Sequence, residues 1–182
     1  MRARSIAIGL VLALSVAGCQ EFGELISFGD AKERAAAQAE AESAQLWEMT
    51  LMAGRYGVML GQAREILNLP EPPRSPGDSF PTDTEDPVKQ REALARYQAD
   101  VTTEFERDVG AACKRKRVPD SVRKVACAQS VPADLRQAVK PDIQALSTRN
   151  DRVGEVIMPW WDAVCATAPK PRDGDVPACA ME

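Results

Sequence analysis

Apolar residues first gather in a run from Ile6 to Val16, flanked by Arg2 and Arg4 before it and by Ala17-Gly18 after it. Beyond that run the pattern becomes helical. Leu46, Met49, Ala53, Tyr56, Leu60, Ala63 and Leu67 recur in three- and four-residue steps, the stripe of a helix packed on a partner. This predicts one long helix from about Asp30 to Leu69, with Ser27 and Asp30 at its capped start and Pro70 as its stop. Its first half, Ala31 to Ala44, is rich in alanine and charge, so it should be helical, weakly packed and able to project from the body. A second stripe, Leu94, Tyr97, Val101, Phe105 and Val109, follows the start signal Asp86-Pro87 and runs to about Ala112. Pro119-Asp120 opens a short third helix. After Pro132 comes a fourth helical stretch with the stripe Val139, Ile143, Leu146, Val153, Ile157, Trp160 and Val164, interrupted by the polar Asn150. Kinks are expected at Pro141 and a bend or end at Pro159.

Six prolines lie between residues 70 and 87, which predicts an extended connection between the first two helices. The tail from Pro169 to Glu182 reads as loop. No period-two run, hairpin turn or fixed repeat appears. The fold expected is therefore all-α: an antiparallel bundle of three long helices plus one short helix, over residues 30–182 with the linker at 70–87. Gly54, Gly57 and Gly61 within the first long helix allow close helix approach or tight packing against an aromatic, and read as structural.

The run at the amino terminus spans eleven residues, against roughly 20 for a helix that crosses a bilayer. Its charged, apolar and small-residue order is that of a secretory signal. The stretch Val16-Ala17-Gly18-Cys19 resembles the lipobox of bacterial lipoprotein precursors. The resemblance implies acylation of Cys19, cleavage after Gly18 and further acylation of the new amino terminus. Residues 1–18 then form the signal peptide and residues 19–29 a lipidated tether reaching about 35 Å at most. Several acyl chains hold stably where one binds reversibly. Gln20 after the cysteine is similar to lipoproteins sorted to the outer membrane, which implies a periplasm-facing anchor there.

Composition narrows the partners. Removing residues 1–18 takes away two arginines and no acid, so the mature chain carries 21 basic and 27 acidic residues. That balance argues against a nucleic-acid binder. Apart from Cys19 there are Cys113, Cys127, Cys165 and Cys179, an even number that suits two disulfides in an oxidising compartment. Three pairings are possible; Cys113–Cys127 and Cys165–Cys179 each close a turn-rich loop of thirteen residues. Each closure would contribute about 3 kcal/mol by the loop-entropy model. A four-thiolate zinc site is disfavoured, since no pair has the close spacing that structural zinc sites use.

The chain has no histidine, the commonest general base and metal ligand. It has no phosphate loop, nucleophile elbow or dinucleotide fingerprint. Ser121 and Lys124 match Ser-x-x-Lys and resemble the first motif of penicillin-binding enzymes, but the companion Ser-Asp-Asn and Lys-Thr-Gly elements are missing. Acidic pairs such as Glu40 with Glu42, or Asp173 with Asp175, read as solvated. No enzyme, cofactor or metal is expected. Two features stand out. Lys114, Arg115, Lys116, Arg117, Arg123 and Lys124 lie between Cys113 and Cys127 with one acid, Asp120; they either form a solvated turn that suits a helix end or favour an anionic partner such as lipid, glycan or an acidic protein surface. Trp160 continues the core stripe, while Trp161 either packs beneath the Cys165–Cys179 loop or serves as an exposed partner anchor.

The function expected is a non-enzymatic envelope lipoprotein, an adaptor, scaffold or assembly factor with an envelope protein partner. The alternative is a ligand-binding or inhibitor lipoprotein recognising a glycan, lipid or lytic enzyme. The anchor makes a direct prediction. Mass spectrometry of protein extracted from membranes should find a chain beginning at an acylated Cys19, and Cys19→Ser should leave it unacylated and uncut. An unmodified Cys19 in membrane-extracted protein would sink the anchor.

Overall fold

The computed structural model describes residues 6–73, 80, 86–137, 139–169 and 179, with side chains from residue 31 onward. Among them are four α-helices and no strand: α1 (Ile6–Leu67), α2 (Pro87–Lys114), α3 (Asp120–Ala128) and α4 (Ile143–Cys165), with a 3-10 turn at Ala133–Arg136. Among the described residues no helix is long and apolar enough to cross a membrane. The chain divides into two units, Met1–Ala44 and Gln45–Glu182. In the first, the described side chains are exposed except the half-buried Glu42, as its alanine and charge content implies. The helix begins at Ile6, not Asp30, because no proline interrupts residues 6–69; Ser27 and Asp30 lie within it, not at its start. Residues 20–29, expected as a tether, are helical.

The second unit holds the core. All seven positions of the first stripe, Leu46 to Leu67, are buried, as are Leu94, Tyr97, Val101, Phe105 and Val109 of α2. Asp86 caps α2 by accepting from the Val88 N–H at 3.0 Å, with Pro87 at the first helical position. The fourth stretch is not one kinked helix. Pro141 lacks an N–H and restricts Lys140, so the chain breaks between the 3-10 turn and α4. Asp142 then restarts it, accepting from the Ala145 N–H at 2.9 Å. Val139 lies outside α4 yet still packs on the core. Nor does α4 end at Pro159. Pro159 and Glu155, whose carbonyl loses its donor, are both exposed to water, while Ile157, Trp160, Trp161 and Val164 bury the opposite side.

The direction of neighbouring helices differs from the antiparallel expectation. Gly57 of α1 meets Tyr97 of α2, Arg64 meets Glu104 and Asp108, and Asn68 meets Arg115. These contacts advance together, so α1 and α2 run parallel. The same holds for α2 and α4, where Gln98 donates to the Leu146 carbonyl at 3.1 Å and Phe105 meets Trp160 edge to face. Antiparallel order assumes short loops. Here residues 68–86 can stretch to about 60 Å, longer than the roughly 42 Å of α2. Most of that segment lies outside the described residues, as does the tail apart from Pro169 and Cys179.

Both expected disulfides are present, with Cα–Cα separations of 4.9 Å for Cys113–Cys127 and 5.8 Å for Cys165–Cys179. Glycine permits the closest helix contacts. A Cβ on Gly57 would strike the hydroxyl of Tyr97, and one on Gly154 the hydroxyl of Tyr56. Phe80 covers Gly54 and packs edge to face on Tyr97, with ring centroids 5.2 Å apart. Gly61 has nothing within 4 Å of that position and does not serve packing. Gly57→Ala and Gly154→Ala should each cost about 1–2 kcal/mol, because a buried tyrosine wedged in the core cannot yield. Gly61→Ala should instead add about 0.5–1 kcal/mol through helix propensity. Urea unfolding checks both signs.

Candidate functional site

The site is built at the end of the second unit where α1 and α2 finish. α1 closes with Asn68 at φ 49°, in the left-handed region that asparagine tolerates. The Leu69 N–H then reaches back to the Arg64 carbonyl at 2.9 Å, and the Asn68 N–H to that of Glu65 at 3.2 Å. Pro70 follows and prevents continuation. α2 ends at Lys114, and Arg115 lays its guanidinium on the Asn68 carbonyl, tying the two helix ends together. Val118 is buried, Pro119 turns the chain, and α3 buries Val122 and Ala126 while Cys127 returns to Cys113. Residues 114–127 thus form a braced knuckle.

The six basic residues singled out above divide by their partners. Lys114, Arg115, Lys116, Arg117 and Lys124 are exposed; Arg123 is half-buried and pairs with Asp120. With Arg115 and Arg123 engaged, Lys114, Lys116, Arg117 and Lys124 have no ion-pair partner among the described residues. These four charges stand in water on a surface without exposed large apolar groups.

Beneath the knuckle lies a buried charge cluster that stripe reasoning missed. Arg64 Nε donates to Asp108 Oδ2 at 2.7 Å, and its Nη2 donates to Glu104. Arg107 reaches Asp108 at 3.2 Å. Burial pushes the Asp108 and Glu104 carboxyls above their ordinary range, with Arg64 opposing incompletely. Burial, then the nearby Glu104, raises the Tyr97 hydroxyl to about 12. A readable signal existed: Arg64 falls between Leu60 and Leu67 on the buried face, and Glu104 and Asp108 sit four apart beside Phe105.

The other expected sites fare differently. Trp161 is 4% exposed, so the partner-anchor expectation for it is corrected. Adjacent helical residues point about 100° apart, yet Trp160 and Trp161 are both covered, because α4 packs on both α2 and α3. Ser121 and Lys124 are exposed on α3, which is not the desolvated setting that a lysine base needs. Asp173 and Asp175 lie outside the described residues, among which no cluster suits a metal ion. A shallow cleft of about 390 Å³ lies at the start of α4, lined by Leu135, Val139, Thr148, Arg149 and others. Arg149 is buried there and donates to the carbonyls of Leu135 and Gln137, latching the 3-10 turn onto α4; desolvation lowers its pKa. Arg152 pairs with Asp134 at the rim.

One surface feature was not read from the sequence. Trp47, Leu51 and Val58 are each about half exposed, at 49%, 46% and 54%, along one side of α1, while the exposed Met52 points about 100° round the helix from Leu51. They share a second helical stripe, offset from the core stripe. Comparison with known protein families, characterised proteins and solved structures gives no match to this chain.

The charge cluster yields a prediction with a sign. Arg64→Met leaves the half-buried Arg107 as the one cation beside two buried carboxylates and should cost about 3–5 kcal/mol at pH 7. A carboxyl whose pKa is raised in the folded state favours that state when protonated, so stability lost at pH 7 should return in part as pH falls into the carboxylate range. Chemical denaturation at the two pH values tests this; a cost independent of pH would contradict it.

Proposed function

We propose that this chain is a non-enzymatic envelope lipoprotein, anchored through Cys19, that holds a protein partner near its membrane as an adaptor, scaffold or assembly factor. The observation that carries the partner is the exposed apolar side of α1, Trp47, Leu51 and Val58, three of the six large hydrophobic side chains that are exposed among the described residues. Contiguous apolar surface on a folded chain marks contact with another molecule, and tryptophan is the residue type most often found at energetic centres of protein interfaces. The lipobox-like Val16-Ala17-Gly18-Cys19 supports the anchor, and Gln20 supports an outer-membrane, periplasm-facing location. The two disulfides suit an oxidising compartment. The ligand-binding alternative rested on an open groove beside Trp161, whose burial weighs toward the adaptor.

The test is in-cell cross-linking followed by purification from membranes in mild detergent and mass spectrometry of what accompanies the protein. A stoichiometric protein partner is expected with the wild-type chain. It should fall at least tenfold with Trp47→Glu and Leu51→Glu together, provided circular dichroism shows the helices intact. With Cys19→Ser, which is neither acylated nor cut, the partner should be lost. An anchored, folded protein that brings down no protein partner would overturn the adaptor reading.

A further inference from the structure

We propose that the knuckle of residues 114–127 is a docking surface for the anionic headgroups of a phospholipid bilayer, separate from both the acyl anchor and the apolar side of α1. Three observations lead there. The first is an excess of charge that the fold itself does not use. Helix carboxyl ends attract cations, and a solvated cap would be the plain explanation of the basic residues. Each such end carries about half a negative charge, so the ends of α1 and α2 together offset about one positive charge. Four exposed cations without an ion pair among the described residues remain: Lys114, Lys116, Arg117 and Lys124. Counting Arg115, whose partner is an uncharged carbonyl, the six cations and Asp120 leave five positive charges, of which the helix ends offset about one, so about four are uncompensated among the described residues, in a mature chain whose net charge is negative.

The second observation is that these charges are held together rather than left to spread. Cys113–Cys127 closes the loop, Arg115 fastens it to Asn68, and the buried Val118 and Val122 root it in the core. Like charges on a free loop would separate. A braced loop instead keeps their mutual repulsion until an anionic surface relieves it.

The third is the chemistry of the surface. None of the large exposed hydrophobic side chains lies in the knuckle, and lysine predominates among its exposed cations. Protein interfaces are built around apolar and aromatic anchors and are depleted of lysine. A cluster of strongly hydrated point charges without such an anchor fits a diffuse array of phosphates, as a charged bilayer presents. The knuckle also stands apart from the route to the anchor. The chain leaves this unit toward Cys19 at Gln45, about 35 Å along α1 from Asn68.

The experiment uses the mature chain with Cys19→Ser and both disulfides formed, so no acyl group takes part and the result is independent of whether Cys19 is lipidated. Co-flotation is measured with phosphatidylglycerol-containing vesicles and with pure phosphatidylcholine vesicles. Binding is expected to the first and not the second, and to weaken as salt shortens the screening length from about 10 Å to about 3 Å. The triple substitution Lys116→Gln, Arg117→Gln and Lys124→Gln should reduce the vesicle partition coefficient about 100-fold, from roughly three headgroup-facing charges. All three residues are exposed, so the fold should be kept, and circular dichroism checks this. Equal flotation with both vesicles, or an unchanged coefficient in the folded triple variant, would overturn the proposal.

Discussion

Arg64 is the side chain on which the arrangement of the helices turns. It lies on the apolar face of α1, where a guanidinium loses most of its water, and it is tolerated only because α2 presents Glu104 and Asp108 at that level. Two carboxylates around one buried cation favour one position along the helix axis, since a shift of one turn would carry either Glu104 or Asp108 out of reach of the guanidinium. The hydrophobic stripes have no such selectivity, because leucine and valine accept many registers. With Arg64 in place, Gly57 comes opposite Tyr97 and Asn68 opposite Arg115. Arg107 helps balance the second acid, so the cluster is close to neutral where it is least hydrated.

α4 is located by a second set of polar contacts and by shape. Gln98 donates to the Leu146 carbonyl and to Asn150 at 3.3 Å, pairing the polar interruption of one stripe with a polar residue of the other. Tyr56 fills the space that Gly154 leaves, much as Tyr97 fills that of Gly57. Phe105 and Trp160, both fully buried, meet edge to face. Ring against glycine fits α1 to both α2 and α4, and ring against ring fits α2 to α4.

Much of this was legible in the residues alone, and the division has physical reasons. Helix starts at Asp86-Pro87 and Pro119-Asp120 were readable because capping and proline geometry are local. Buried stripes were readable because periodicity reports a face directly. The cysteine pairing followed from two short loops of equal length. What a local pattern cannot encode is which helix lies opposite and in which direction. Antiparallel order was inferred from a rule about short loops, whereas the connections here are long enough to bring each helix back to its start. Pro159 misled because a proline on an exposed face loses one bond that water can replace. Trp161 was ambiguous because periodicity assigns one covered face, while α4 has more than one. Within the knuckle the sequence located the charges, but only the fold shows that Arg115 and Arg123 are engaged and that the other four are not.

The parallel order of the long helices has a consequence for how the chain reaches its native state. In an up-and-down bundle, neighbours in sequence form hairpins, and much structure can assemble from nearby contacts. Here the interactions that join the helices span long stretches: 44 residues between Arg64 and Asp108, 47 between Asn68 and Arg115, and 52 between Gln98 and Asn150. Such high contact order slows folding compared with an ordinary helical bundle. Cys113–Cys127 and Cys165–Cys179 are each only 14 residues apart, so they can close before the helices find one another and do not guide that search. The apolar faces of α1 and α2 therefore stay open until much of the chain is in place, and early oxidation does nothing to shorten that interval.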